Sequence, residues 1–210
     1  MPPSAAQGHS LHSETTSKYH AEVHFRWKRI ADWAITIVVA VAFVLVFEAE
    51  VAKPYRIPSS SMEPTLHCAR PAAWCEARFS DRVIVNRLVY RFESPRRGQI
   101  VVFTAPAAAK TQCGEGGTFV KRLVGLPGET VSEAHGVISI DGRPLHEGYA
   151  HDTDQDTTVG TWHVPKGDYF FVGDDRAHTC DSRTWGSVPR SNLIGPLLIT
   201  YWPPYRISLH

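Results

Sequence analysis

The chain's 210 residues suit one main domain with appendages, and 43% hydrophobic with 20% charged residues is ordinary globular composition. Twenty-two Lys and Arg against 21 Asp and Glu leave a formal net charge of +1, no global field to hold nucleic acid. Nucleic acid is therefore excluded as a partner.

Residues 1 to about 20 are rich in Ser, Thr, His and Ala, without apolar periodicity, which is the composition of a disordered tail. Arg26, Lys28 and Arg29 then precede the only long apolar run, Ile30 to Phe47, in which Asp32 is the only charge. Eighteen helical residues rise about 27 Å, close to the roughly 30 Å hydrocarbon core of a bilayer. Asp32 can stay at the headgroups beside Arg29, and Trp33 suits the aromatic belt. A buried core helix would need a polar face, which Ala34 to Phe47 lacks. A cleaved signal peptide would have a shorter apolar run and a small-x-small site where this chain has Glu48-Ala49-Glu50. The expected organisation is a cytoplasmic tail over 1–29, one transmembrane helix over 30–48, and an extracytoplasmic domain over 49–210. The basic flank before the span and the acidic flank after it put the amino terminus inside the plasma membrane.

About ten residues beyond the span comes Ile57-Pro58-Ser59-Ser60-Ser61-Met62-Glu63-Pro64-Thr65-Leu66. Its prolines fix φ on either side of three serines, a way to hold a hydroxyl still. A serine hydroxyl is a weak nucleophile alone and needs a base. Lys121 is the candidate, in Phe119-Val120-Lys121-Arg122-Leu123-Val124-Gly125-Leu126-Pro127-Gly128-Glu129.

From Val51 onward the pattern is strand-like. Val83–Val85, Ile100–Phe103, Phe119–Val120, Val137–Ile140, Tyr169–Val172 and Leu197–Tyr201 are β-branched or aromatic runs between Gly, Pro and Asp clusters. The expected fold is mostly β. Asp141-Gly142 predicts a tight hairpin, Arg96-Arg97-Gly98 a turn, and Ser191-Asn192-Leu193 a short helical turn. Ala105 to Gly117 reads as a surface loop, and His146 to Gly160 as an exposed stretch. Asp152, Asp154 and Asp156 alternate as in a calcium loop, but the later Gly and Glu and the flanking helices are missing. Cys68, Cys75, Cys113 and Cys180 all lie outside the span, and an even count suits disulfides in an exported domain. Cys68 with Cys75 closes a short loop and is the preferred pair, leaving Cys113 and Cys180 paired or free. No Cys or His spacing suits zinc.

A third stretch, Gly173-Asp174-Asp175-Arg176-Ala177-His178-Thr179-Cys180-Asp181-Ser182-Arg183, completes a pattern. Ser-Met-x-Pro-Thr, Val-Lys-Arg-Leu-Val-Gly-Leu-Pro-Gly-Glu and this stretch, in that order behind a membrane anchor, resemble the type I signal peptidases from about residue 30 to about 205. These are membrane-bound serine proteases that cut signal peptides from exported proteins. The resemblance implies a signal-peptidase-like β catalytic domain behind one amino-terminal transmembrane helix, with preproteins as substrates, the lipid bilayer as its setting and no cofactor or metal. A monomer is expected. It also implies that Ser61 attacks, Lys121 is the general base, and the Ser61 N–H with the Ser59 hydroxyl forms the oxyanion hole. Thr179 stands where the family has a serine bonding the lysine, Asp181 and Arg183 brace the site, and Arg122 supports it. Shallow apolar pockets for small side chains would be lined by Ile57, Pro58, Met62, Leu66, Val102, Phe119 and Val120. Asp175 departs from the family's usual Asn.

A lysine base must be neutral. In water its pKa is ~10.4, and burial can lower that by up to about 3 to 5. Phe119, Val120, Leu123 and Val124 offer an apolar strand, on which alternation puts Phe119 and Lys121 on one face. Two rival readings stand beside this one. A Ser/His/Asp hydrolase is weakened by the lack of a Gly-x-Ser-x-Gly elbow, and His178 is the only histidine inside a motif. A membrane-anchored module that only binds peptides would lack a buried Lys121 in contact with Ser61.

Overall fold

The computed structural model describes residues 32–47, 51–151 and 153–210, which divide after Phe47 into two units. In the first, α1 (32–47) is helical throughout, and its side chains are exposed, Trp33 and Phe43 among them. Among the described residues no helix is long and apolar enough to cross a membrane. The expected tail, the ends of the expected 30–48 span and its charged flanks lie outside the described residues.

The second unit is built on β-sheet, as expected. One sheet runs β1 (Ala52–Arg56), β2 (Arg82–Asn86), β11 (Leu193–Trp202), β3 (Ile100–Thr104), β4 (Thr118–Gly125), β9 (Asp168–Val172) and β10 (Val188–Pro189), with β12 (Ser208–Leu209) paired to β11. A smaller sheet runs β7 (Arg143–Pro144), β6 (Val137–Ile140), β5 (Thr130–Ala134) and β8 (Gly160–His163). The unbroken apolar run Ile100–Phe103 is buried along its length because both faces of β3 are covered. Ile100 packs with Ile57, Met62 and Leu66, while Val101 and Phe103 pack with Phe171 and Trp185. A third cluster, Val124, Val131, Ile138 and Phe170, joins the two sheets.

The predicted turns are present. β6 and β7 are joined by Asp141 and Gly142, both at positive φ, as the tight hairpin requires. Gln99 N–H donates to Arg96 O at 3.2 Å before β3, and Arg190–Asn192 is one 3-10 turn.

Two expectations are corrected. The stretch Ala105 to Gly117 contains α2 (Ala107–Cys113), entered after Pro106 and ended by Gly114 at φ 73°. Alanine is the best helix former, and a glycine in the left-handed region is a common helix stop, so the sequence holds a helix where small and polar residues suggest a loop. His146 to Gly160 is not simply exposed: Glu147 and Asp156 turn inward to arginines, as described below. Asp152 lies outside the described residues, while Asp154 is exposed. Both disulfides, Cys68–Cys75 and Cys113–Cys180, are formed.

Candidate active site

Ser61 sits in a single 3-10 turn, Ser60–Met62, which follows Ser59 in extended conformation. The turn is held from several sides. Ile57 N–H donates to Asp81 O at 3.0 Å, Leu66 N–H to Met62 O at 2.8 Å, and Ile57, Met62 and Leu66 are sunk in the core. Behind it the buried Glu63 carboxylate accepts from Cys68 N–H at 3.1 Å and pairs with His67. The Ser59 and Ser61 hydroxyls lie 3.5 Å apart.

β4 supplies Lys121, opposite Val101 on β3, with Phe119 opposite Phe103. Lys121 is 4% exposed. Its ammonium donates to Thr179 Oγ1 at 2.8 Å. Burial drives its pKa down, and although the Asp181 carboxylate opposes this, the result is about 8. A hydrogen bond from Ser61 Oγ to Lys121 Nζ is not among those the described residues make. Catalytic hydrogen bonds are often long until substrate is bound, and both side chains face one cavity of about 610 Å³.

The loop after β9 ties these parts together. Asp175 N–H donates to Ser61 O at 3.3 Å. A Cβ at Gly173 would lie 2.5 Å from the same carbonyl oxygen and collide with the Thr179 hydroxyl, so only glycine lets the three approach. Gly173 N–H donates to Asp181 Oδ2 at 3.0 Å. Arg183 grips Asp181 through Nε and Nη2, at 2.9 and 3.0 Å. This pair is buried, not a surface one.

Arg183 also reaches Glu133 at 3.1 Å on β5, as well as Asp156. Three carboxylates thus share one guanidinium out of water, an excess of negative charge that some proton must relieve. Burial raises the Glu133 pKa to about 7 against the pull of Arg183, whereas at Asp156 hydrogen bonds from Thr158 and the Arg183 charge outweigh burial and lower it. A carboxyl whose folded pKa exceeds its unfolded one stabilises below the unfolded value and loses that contribution as pH rises through the folded value. Glu133→Gln, which keeps an acceptor for Arg183, is therefore expected to raise stability by about 1–3 kcal/mol at pH 8 and to change little at pH 4. Denaturant titrations of both proteins at the two pH values check this, and equal midpoints at pH 8 would overturn it.

Arg122 forms a second buried pair, its Nε and Nη2 on Asp174 at 2.8 and 2.5 Å, with Tyr149 stacked on the guanidinium at 3.8 Å. A third joins Arg176 to Glu147 at 2.7 and 3.0 Å, while Arg176 Nε holds Gly173 O at 3.0 Å. Asp175, the departure from the family pattern, is buried and accepts from His178 Nδ1 at 3.0 Å.

The cavity is lined by Ser59, Ser61 and Lys121 together with Pro58, Phe119 and Val120. Ile57, Met62, Leu66 and Val102 are buried and do not line it. Thr179, Asp181, Arg183 and Arg122 stand behind it through the bonds above. Sequence reasoning passed over Trp74, which stacks on His178 at 4.0 Å on the cavity wall, along with Glu115, while Cys113 and Cys180, left as paired or free, are paired. Trp74 lies in the loop closed by Cys68–Cys75, outside every motif, and its positive φ could not be read from the sequence. Among the described residues no three His, Cys, Asp or Glu side chains are gathered as a metal ion needs.

Comparison with known proteins gives a consistent answer. The sequence profile of the family described as "Signal peptidase, peptidase S26" matches residues 30–202. A signal peptidase I of Leptolyngbya laminosa is 39% identical over 174 residues, covering 82% of this chain and 80% of that protein. A probable signal peptidase I-2 of Synechocystis is 34% identical over 196 residues, covering 93% and 83%. The crystal structure of a signal peptidase I from Enterococcus faecalis V583 is 31% identical and covers 50% of this chain and 97% of that one, with a TM-score of 0.41, too slight an overlap to bear on the fold.

Proposed function

This chain belongs to the signal peptidase family, peptidase S26, as a serine endopeptidase of the signal peptidase I type, and from that premise we propose that it cuts signal peptides from preproteins at a membrane surface with Ser61 as nucleophile and neutral Lys121 as base. One observation carries the assignment: a lysine buried in an apolar strand, with its pKa lowered to about 8, faces the same cavity as a serine fixed in a tight turn. Ordinary surface lysines are protonated at neutral pH and cannot take a proton from a hydroxyl.

In this mechanism Lys121 takes the Ser61 proton as Oγ attacks the scissile carbonyl. Thr179 Oγ1 fixes the amine's direction. The oxyanion that forms is met by the Ser61 N–H and by the Ser59 hydroxyl, each such donor contributing about 2.7 to 4 kcal/mol of transition-state stabilisation. The protonated Lys121 then returns its proton to the leaving amine. Asp181, itself held by Arg183, provides a negative charge near the transient ammonium, and Arg122 anchors the Asp174 end of the loop. Pro58, Phe119 and Val120 form the apolar wall against which small side chains of the signal peptide lie. Ile57, Met62, Leu66 and Val102 act from behind as the packed floor.

Residues 30–48 are proposed to anchor the chain. From Ile37 to Phe47 α1 is apolar on every side, and such a helical stretch needs protein or lipid around it. The amino terminus then lies inside and residues 49–210 outside, and the protein works as a monomer in the plasma membrane. The cut is thereby made close to the bilayer, where a preprotein's own apolar segment holds its cleavage site.

The test is cleavage of a preprotein bearing an Ala-x-Ala site by the detergent-solubilised full chain across pH. Only neutral Lys121 is competent. With a pKa of about 8, roughly a tenth is neutral at pH 7. kcat/KM should rise about tenfold per pH unit up to about 8 and level off above it. A profile flat from pH 6 to 9 removes Lys121 as the base, and no cleavage at any pH by the folded protein leaves a peptide-binding module as the better reading.

A further inference from the structure

The cavity that holds Ser61 and Lys121 is larger than the signal-peptide side of a cut needs. Small side chains against Pro58, Phe119 and Val120 leave a good part of its volume of about 610 Å³, room for about twenty waters at ~30 Å³ each, to something else. Its remaining wall includes Ala72, Ala73, Trp74 and His178. Trp74 is 66% exposed. One face of its ring stacks on His178, with centroids 4.0 Å apart and planes 24° from parallel, and so large an exposure leaves the opposite face open.

The ring is held there by its backbone. Trp74 has φ 62°, a conformation rare for a bulky residue. The loop carrying it is closed by Cys68–Cys75, by Arg70 N–H donating to Ala77 O at 2.9 Å and by Cys75 N–H donating to Ala72 O at 3.2 Å. Backbone strain of this kind persists only where the surrounding structure imposes it, and it gathers at ligand clamps. A ring already fixed in place loses little freedom when something stacks on it.

His178 ties the ring to the reacting groups. Its N–H and Nδ1 both meet Asp175 Oδ1, at 3.1 and 3.0 Å, and Asp175 N–H donates to Ser61 O. Its chain neighbour Thr179 accepts from Lys121. In the proposed reaction the acyl half of the substrate lies along Pro58, Phe119 and Val120, and the leaving amine faces Lys121. The residues after the cut therefore run from Lys121 toward the wall that the acyl half does not use. We propose that the open face of Trp74, backed by His178, is a stacking platform for a large apolar or aromatic side chain within the first two residues after the cut, and so sets specificity on the departing side. The inference rests on the proposed reading of the site as a signal peptidase.

The test is a set of peptides that share an Ala-x-Ala site and differ only in Ala or Phe at the first or the second position after the cut, cleaved by the detergent-solubilised full chain. The wild type is expected to favour Phe at one of these positions about fivefold in kcat/KM, the scale of one aromatic stack. The gain should lie in KM, because a stacked ring is held equally before and during the reaction. Trp74→Ala should bring the ratio of Phe to Ala peptide to about one, and Trp74→Phe, which keeps a flat ring, should retain most of the preference. A ratio taken within one preparation does not depend on how much of it is folded, so a loss of stability cannot imitate the result. A wild-type ratio in Trp74→Ala overturns the platform, and a loss in Trp74→Phe as complete as that in Trp74→Ala overturns stacking as its cause. A wild type that cuts the Ala peptides but does not favour Phe at either position also overturns the platform and leaves the peptidase reading standing. A folded wild type that cuts none of the peptides refutes that reading, and the platform with it.

Discussion

Ser61→Ala and Lys121→Met are each expected to reduce cleavage of an Ala-x-Ala preprotein to background, a loss of about three orders of magnitude or more, while His178→Ala is expected to keep most of it. Nucleophile and base act as one unit, so removing either costs about as much as removing both. The lysine variant has a second, opposite effect. The folded chain lets go of the Lys121 proton at about pH 8, well below the unfolded value of 10.5. Stability therefore rises with pH between those two values, and at pH 7 the buried ammonium is a net cost of about 3 kcal/mol. Methionine fills similar space without the charge, so the inactive variant should also melt at a higher temperature. Activity and thermal denaturation measured on one preparation separate a lost base from a lost fold. His178 bonds Asp175 and stacks on Trp74 at the cavity wall. Should His178→Ala prove dead and Lys121→Met active, a histidine would be the base and the lysine reading would fall.

Arg183→Ala should be the most damaging change outside the reacting groups. It leaves Asp181, Glu133 and Asp156, all buried, without their shared cation. Breaking a buried pair from one side costs about 3–5 kcal/mol because the remaining charge has lost its partner. Asp181 also holds Gly173 N–H, so the loop carrying Thr179 loosens and the lysine loses its orienting acceptor. The loss should shrink in acid, where Glu133, whose pKa burial raises to about 7, takes a proton in place of the arginine. Urea titrations of wild type and variant at pH 5 and pH 8 read this directly. A deficit of the same size at both values would show that the cluster contributes packing and not charge.

The proposed reacting groups could be picked out because the chemistry asked of them confines them to short stretches. Three serines between prolines, and a lysine in an apolar strand, are readable wherever they occur. Their supports were not. Arg183 finds Glu133 at a separation of 50 residues and Asp156 at 27, and Arg122 finds Asp174 at 52. Those pairings exist only once the small sheet and the loop before β8 fold back on the large one, and a carboxylate in a polar loop otherwise reads as solvated. α2 escaped for a different reason: small, polar and glycine-containing residues suggested a loop, whereas Pro106 and Gly114 at the two ends of Ala107–Cys113 are the start and stop of a helix. Ile57, Met62 and Leu66 show the limit of adjacency. An apolar residue beside a nucleophile can face the substrate or the core, and only burial decides between them.

The Cys113–Cys180 bridge fastens α2 to the residue between Thr179 and Asp181, the two side chains that position the lysine. Cytosolic reductants keep thiols apart, and oxidation outside joins them. With the orientation proposed here, a newly made chain carries its nucleophile and base through the cytosol with that fastening open. In that orientation the fastening closes only once residues 49–210 have reached the oxidising side of the membrane.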